Sequence, residues 1–255
     1  MIIRAEQMRA FEQAARRQFE EEMVAHSKDF SPRLCEVIGD EQLRVALRAA
    51  INRAERYGFT KRGPIRLFIE MTFLCGSAFD TDPQYPALGD VLRASGDQMQ
   101  RAQQIHEGHI DYLARVSGPG AANVRKALRD LLTFARMPLM FSTDDFIEGL
   151  LQAMTGIFPQ KVAYSGEAGL KRLIQEGIAE ARKYRFSTVR QETLIVVLMF
   201  AFGHGCTDDP LYPWIVRTLQ DERIIDPAAR ADRLERKAMT WLEHVLARHP
   251  QGSPA

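Results

Sequence analysis

Asp82-Pro83-Gln84-Tyr85-Pro86 recurs as Asp209-Pro210-Leu211-Tyr212-Pro213, and upstream of it Tyr57-Gly58-Phe59-Thr60 recurs as Tyr184-Arg185-Phe186-Ser187. Both pairs are separated by 127 residues, 57 to 184 and 82 to 209. Holding that offset without a gap over residues 39–92 gives 14 identities in 54 positions, where unrelated chains of ordinary composition give about three. A period this long is not that of a solenoid, whose repeats run to roughly 20 to 50 residues. The expected fold is all-α: two related helical halves from an internal duplication, packed with pseudo-twofold symmetry as once-identical subunits would pair.

Each half reads as the same series of helices. Met8, Phe11, Ala15, Phe19 and Met23 are spaced by threes and fours, which puts them on one face of a first helix. A second is expected over residues 41–57 with Leu43, Leu47, Ala50, Ile51 and Ala54 inward, and its counterpart carries Leu170, Ile174, Ile178 and Ala181. A third begins behind Thr60 in one copy and behind Thr188 in the other, where Gln191 completes a capping box. Residues 65–74 and 194–202 are apolar nearly all round, so these helices belong at the centre. Gly76 and Gly203 should close them in the left-handed conformation, and Pro86 and Pro213 should open the next helix, where a missing N–H costs nothing. A long helix closes each half, with Met99, Ala102, Ile105, His109, Tyr112 and Val116 in one and Leu234, Ala238, Trp241 and Val245 in the other. Ser117-Gly118-Pro119-Gly120 is the clearest break, and residues 121–135 form a connecting helix. The halves are therefore 1–116 and 141–250, with 117–140 between them. No alternating run sustains a strand.

Composition limits the function. Hydrophobic residues at 45% and charged residues at 26% exclude wholesale disorder. A net charge of +1 removes the bulk attraction to nucleic acid, and no apolar stretch is long enough to cross a bilayer. The start of the chain lacks the apolar core of a signal peptide, and the three cysteines have no disulfide or zinc spacing, so a cytoplasmic location is expected. Walker, dinucleotide and Gly-x-Ser-x-Gly motifs are absent. His106-Glu107-Gly108-His109 has its histidines three apart, where the zinc-protease signature needs four, and is expected to be helix surface.

The acidic loop after each central helix remains. Asp before Pro is turn chemistry, and an acidic side chain beside a helix start satisfies free N–H groups. A structural reading therefore covers most of it. The copies differ where the second has Trp214 for Ala87, His204 for Ser77 and Leu211 for Gln84. Aromatic residues on a loop turning out of the core favour an interface, so Leu211, Tyr212 and Trp214, with Asp209, Asp82 and Tyr85, are the candidate partner-binding residues. The alternative for Trp214 is a plug between the halves. Catalytic residues, metal and cofactor are expected to be none. The competing reading is a metal-dependent or general acid/base hydrolase built on the acidic loops and His204, with Asp208 as the nearest second ligand.

The repeated pattern of an aromatic before Thr or Ser, an apolar helix, Gly76 or Gly203, then Asp-Pro and Tyr-Pro resembles a group of duplicated helical bacterial proteins. These are encoded beside type VI secretion spike proteins and their toxic cargo. The similarity covers residues 57–86 and 184–214, together with Ile3-Arg4-Ala5-Glu6-Gln7 and Phe11. It implies a genomic neighbourhood and carries over no catalytic residue. With no coherent active site, a near-neutral charge and a duplicated helical scaffold, the expected function is a non-enzymatic protein-interaction factor, namely an adaptor, chaperone or immunity protein, whose partner is a secreted toxin or spike. Neither nucleic acid nor membrane is expected as a partner.

Overall fold

The computed structural model describes residues 5–139 and 144–247, and every regular element among them is helical. The first part of the chain holds α1 (Ala5–Phe30), α2 (Pro32–Arg56), α3 (Arg62–Cys75), α4 (Pro86–Arg93) and α5 (Gln98–Tyr112). A π turn at Leu113–Ser117 and a 3-10 turn at Pro119–Ala121 lead into α6 (Ala122–Arg136). The second part holds α7 (Phe146–Ile157), α8 (Pro159–Lys183), α9 (Val189–Phe202), α10 (Pro213–Leu219) and α11 (Pro227–Ala247). No helix among the described residues is long and apolar enough to cross a membrane.

The order of packing is the same in both parts: α1 on α2 and α7 on α8, then α2 on α3 and α8 on α9, with α5 and α11 closing against α3 and α9. Inward positions follow the expected faces. Leu43, Leu47, Ala50, Ile51 and Ala54 are buried on α2, and Leu170, Ile174 and Ala181 on α8. The central helices bury Ile65, Phe68, Ile69, Met71 and Phe73 on α3, and Ile195, Val196, Leu198, Met199 and Phe200 on α9. The encirclement is incomplete at their last turn, where Leu74 and Ala201 reach the surface.

Four local expectations change. The stripe on α1 is buried only from Phe19 and Met23 onward, and Phe11 is 65% exposed. Arg16 hydrogen-bonds Asn52 and Glu55, near the C-terminal end of α2, so residues ahead of it have no α2 left to pack on. The second helices are preceded by further helical residues, from Pro32 and Pro159, and are broken from them at Gly39 (φ 77°, ψ 164°), just ahead of the expected start at 41, and at Gly166 (φ 73°, ψ 155°). Thr188 and Gln191 do form the capping box of α9, whereas the N-cap of α3 is Lys61. Pro64 occupies the place of the capping Gln there, and Gln98 from α5 accepts the Thr60 and Lys61 N–H groups at 2.8 and 2.9 Å instead. His109 turns inward instead of lying on the surface, and its burial lowers its pKa. α6 packs on α7 and α11, with Ala127 and Leu131 buried beneath it.

Candidate functional site

The two central helices end against each other. Gly76 (φ 91°, ψ 157°) and Gly203 (φ 93°, ψ 151°) are not in the left-handed helical region but in the extended region at positive φ that only glycine fills comfortably. A Cβ on Gly76 would lie 2.6 Å from the Phe202 carbonyl oxygen, and one on Gly203 would lie 2.7 Å from that of Cys75. Glycine is therefore required by the crossing of two backbones as well as by the turn.

The Asp-Pro loops are exchanged across this crossing. The His204 N–H donates to Asp82 Oδ2 at 2.8 Å, and the Ser77 N–H donates to Asp209 Oδ2 at the same distance. Each carboxylate also accepts a backbone N–H from its own loop, Gln84 at Asp82 and Leu211 at Asp209, both at 2.8 Å. Burial pushes both carboxyls up from the usual range, and these backbone donors pull the other way. Gln84 Nε2 donates to the Met199 carbonyl on α9, and Gln42 Nε2 donates to the Pro210 carbonyl, each at 3.1 Å.

The six candidate partner-binding residues lie in this seam, because the loop folds back into it and does not turn out of the core. Asp82, Tyr85, Asp209 and Leu211 are buried, the last at 1% exposure within the core of the first part. Tyr85 packs edge-on against Tyr112 at 5.6 Å. Tyr212 and Trp214 are half-buried against Phe202, with ring centroids at 4.6 and 5.9 Å. All six are thus committed to contacts within the chain.

Above the seam is an open polar cleft lined by Arg53, Thr81, Glu176, Lys183, His204 and Asp208, among others. His204 Nδ1 lies 3.1 Å from Glu176 Oε2 on α8, and its Nε2 lies 3.0 Å from the Thr81 hydroxyl of the first part. With a neutral imidazole, Nδ1–H donates to the carboxylate and Nε2 is left to accept from the hydroxyl. Arg53 donates to the same Thr81 oxygen at 3.3 Å. Carboxylate, imidazole and hydroxyl in a row is a base-and-nucleophile geometry. Thr81 is exposed and its hydroxyl also lies 3.2 Å from the Ala78 carbonyl, which competes for its proton. Among the described residues no three His, Cys, Asp or Glu side chains are grouped to hold a metal ion, so His204 and Asp208 have no ligand set around them. Cys35, Cys75 and Cys206 are buried free thiols whose burial raises their pKa, which makes them poor nucleophiles.

A second unusual group lies beside the crossing. Lys161 is 5% exposed, donates to the Phe200 carbonyl at 2.5 Å, and sits 4.8 and 5.7 Å from the ring centroids of Phe200 and Tyr85. Burial lowers its pKa to about 8, against opposing pulls from Asp82 and Cys75. The unfolded chain keeps this proton up to the ordinary value of 10.5, so between the two values it binds more protons than the folded chain, and stability rises with pH. Wild type should gain about 2 kcal/mol over Lys161→Met between pH 7 and about pH 10. Urea melts at each pH measure this, and a flat difference would show that the ammonium is well solvated.

Neither Lys161, Glu176 nor Thr81 stands out in the sequence. Lys161 and Glu176 are ordinary polar positions in a helical pattern, and Thr81 lies between two aspartates that draw attention first. Comparison with protein-family models, curated proteins and solved structures finds no match.

Proposed function

We propose that the chain is a non-enzymatic protein-interaction factor, built by internal duplication into two helical halves about a pseudo-twofold axis, and that it binds its partner through the first half. The reciprocal contacts at positions 127 apart support the duplicated architecture: Asp82 with Asp209, Ser77 with His204, Gly76 with Gly203. The observation that carries the binding surface is an asymmetry of cover. In the second half α6 packs over Ile157, which is 7% exposed, while Ala201 still reaches the surface. The position of the first half that matches Ile157 is Phe30, which is 39% exposed, and Leu74 of the same part is 44% exposed. Of the eleven exposed large apolar residues described, nine fall between Met8 and Leu113. Uncovered apolar surface on one of two like units favours association there. The resemblance of the repeated loops makes a type VI secretion toxin or spike the partner to test, with the chain as adaptor, chaperone or immunity protein in the cytoplasm.

One observation favours the acid/base hydrolase as a second reading, namely the row Glu176–His204–Thr81. A single panel separates the two. Purified chain is tested for capture of the candidate toxin and spike, and for hydrolysis of an activated ester, with Phe30→Asp, Leu74→Asp, Trp214→Ala and His204→Ala. The binding reading expects Phe30→Asp and Leu74→Asp to weaken capture at least about tenfold, an effect of roughly 1.4 kcal/mol, with unchanged melting temperature. Capture unaffected by both places the surface elsewhere. Ester hydrolysis that disappears in His204→Ala while capture persists would favour the enzyme.

A further inference from the structure

α6 leaves two adjoining clefts between itself and the second half, which share Leu131, Ala201, Phe202 and Trp241 as walls. The outer cleft, toward α11, is lined mainly by apolar side chains, and the two charged residues among the described ones, Arg190 and Glu235, pair with each other. Of the described residues that line the inner cleft, toward α7, Lys161 is the one that is charged.

That ammonium has the ring faces of Phe200 and Tyr85 beside it but no counter-ion among the described residues. It has three N–H donors, and among the described residues one oxygen receives them, the Phe200 carbonyl. No carboxylate among the described residues lies within ion-pair distance of Lys161, and Asp82 is already engaged by His204 and Gln84. A buried cation without a counter-ion is costly. The fold does not demand one at this place, because 127 residues earlier, at the matching position of α2, stands Leu34. An apolar cleft with a cation that has no counter-ion in its lining is complementary to a molecule with an apolar body and one anionic end.

We propose that the cleft beneath α6 binds an unbranched aliphatic monocarboxylate, with its chain between α6, α9 and α11 and its carboxylate on the Lys161 ammonium. This site is separate from the partner surface at Phe30 and Leu74, and either can fail without the other.

The test is calorimetric titration of the full chain with decanoate and, as an uncharged control, decanol. Wild type should bind decanoate saturably at one per chain and at least tenfold more tightly than decanol. Lys161→Met should lose that preference while binding decanol within about twofold of wild type. Ala201→Trp, which fills the wall common to both clefts from a position that reaches the surface, should bind neither. No saturable binding, equal affinity for acid and alcohol in wild type, or undiminished decanoate binding in Lys161→Met overturns the proposal. Should Lys161→Met melt well below wild type, the acid-to-alcohol ratio on the wild-type chain and the Ala201→Trp result decide it.

Discussion

Gly76→Ala and Gly203→Ala are each expected to remove about 2 to 6 kcal/mol of stability, a large share of the roughly 5 to 15 kcal/mol that a domain has. Two costs add. The backbone at both positions sits at φ near 90° with ψ above 150°, and holding a residue with a side chain there costs about 1 to 3 kcal/mol. The new methyl also meets a carbonyl oxygen of the other central helix at 2.6 or 2.7 Å, and overpacking of this kind adds about 1 to 3 kcal/mol or more. The obstructing atom is backbone at the end of a central helix, so it cannot swing aside as a flexible side chain would. Gly63→Ala and Gly156→Ala are the controls. Both lie in helices with ordinary φ and nothing within 4 Å of the added carbon, so they should be neutral or stabilising by up to about 1 kcal/mol. Thermal melts of the four variants by circular dichroism give the comparison. If Gly203→Ala melts with the controls, the two helix ends do not meet as described.

The features legible in the sequence are those fixed by local chemistry. Pro86 and Pro213 open helices because a residue without an N–H is tolerated only there, and Gly76 and Gly203 end helices because few residues accept positive φ. The inward face of α2 was legible from its period for the same reason. Features set by distant contacts were not. The stripe on α1 gives no sign that α2 runs out near Arg16, so Met8 and Phe11 look as buried as Phe19. Pro64 hides the fact that α3 borrows its cap from Gln98, 38 residues from Thr60. The Asp-Pro loops contain what either a surface turn or a buried latch would contain. Only the approach of the second central helix decides between them, and it brings Ser77 to Asp209 and His204 to Asp82. The polar row in the cleft was hidden likewise, since Thr81 and His204 are 123 residues apart.

Because each loop is held by the other part of the chain, fragments 1–117 and 118–255 should each fail to melt cooperatively alone, and should regain a single transition when co-expressed. In fragment 1–117 the core loses Leu211, which is 1% exposed within it, and the Ser77 N–H loses Asp209. In fragment 118–255 the His204 N–H loses Asp82, and the Met199 carbonyl loses Gln84. Each stranded polar group, part-buried at Ser77 and His204, costs up to about 1 to 3 kcal/mol, and the missing leucine about 2 to 5. Together these rival the whole stability of a domain. Self-pairing of 1–117 offers no escape. Gln84 would have to stand where Leu211 packs, placing two amides per dimer in an apolar core. Size-exclusion chromatography with light scattering, together with far-UV circular dichroism, measures the outcome: a 1:1 complex with one sharp melt from the co-expressed pair, and broad or absent transitions from each fragment alone. A monomeric 1–117 that melts sharply would mean that the seam joins two self-sufficient domains, and that the exchanged Asp82 and Asp209 contacts orient the halves without folding them.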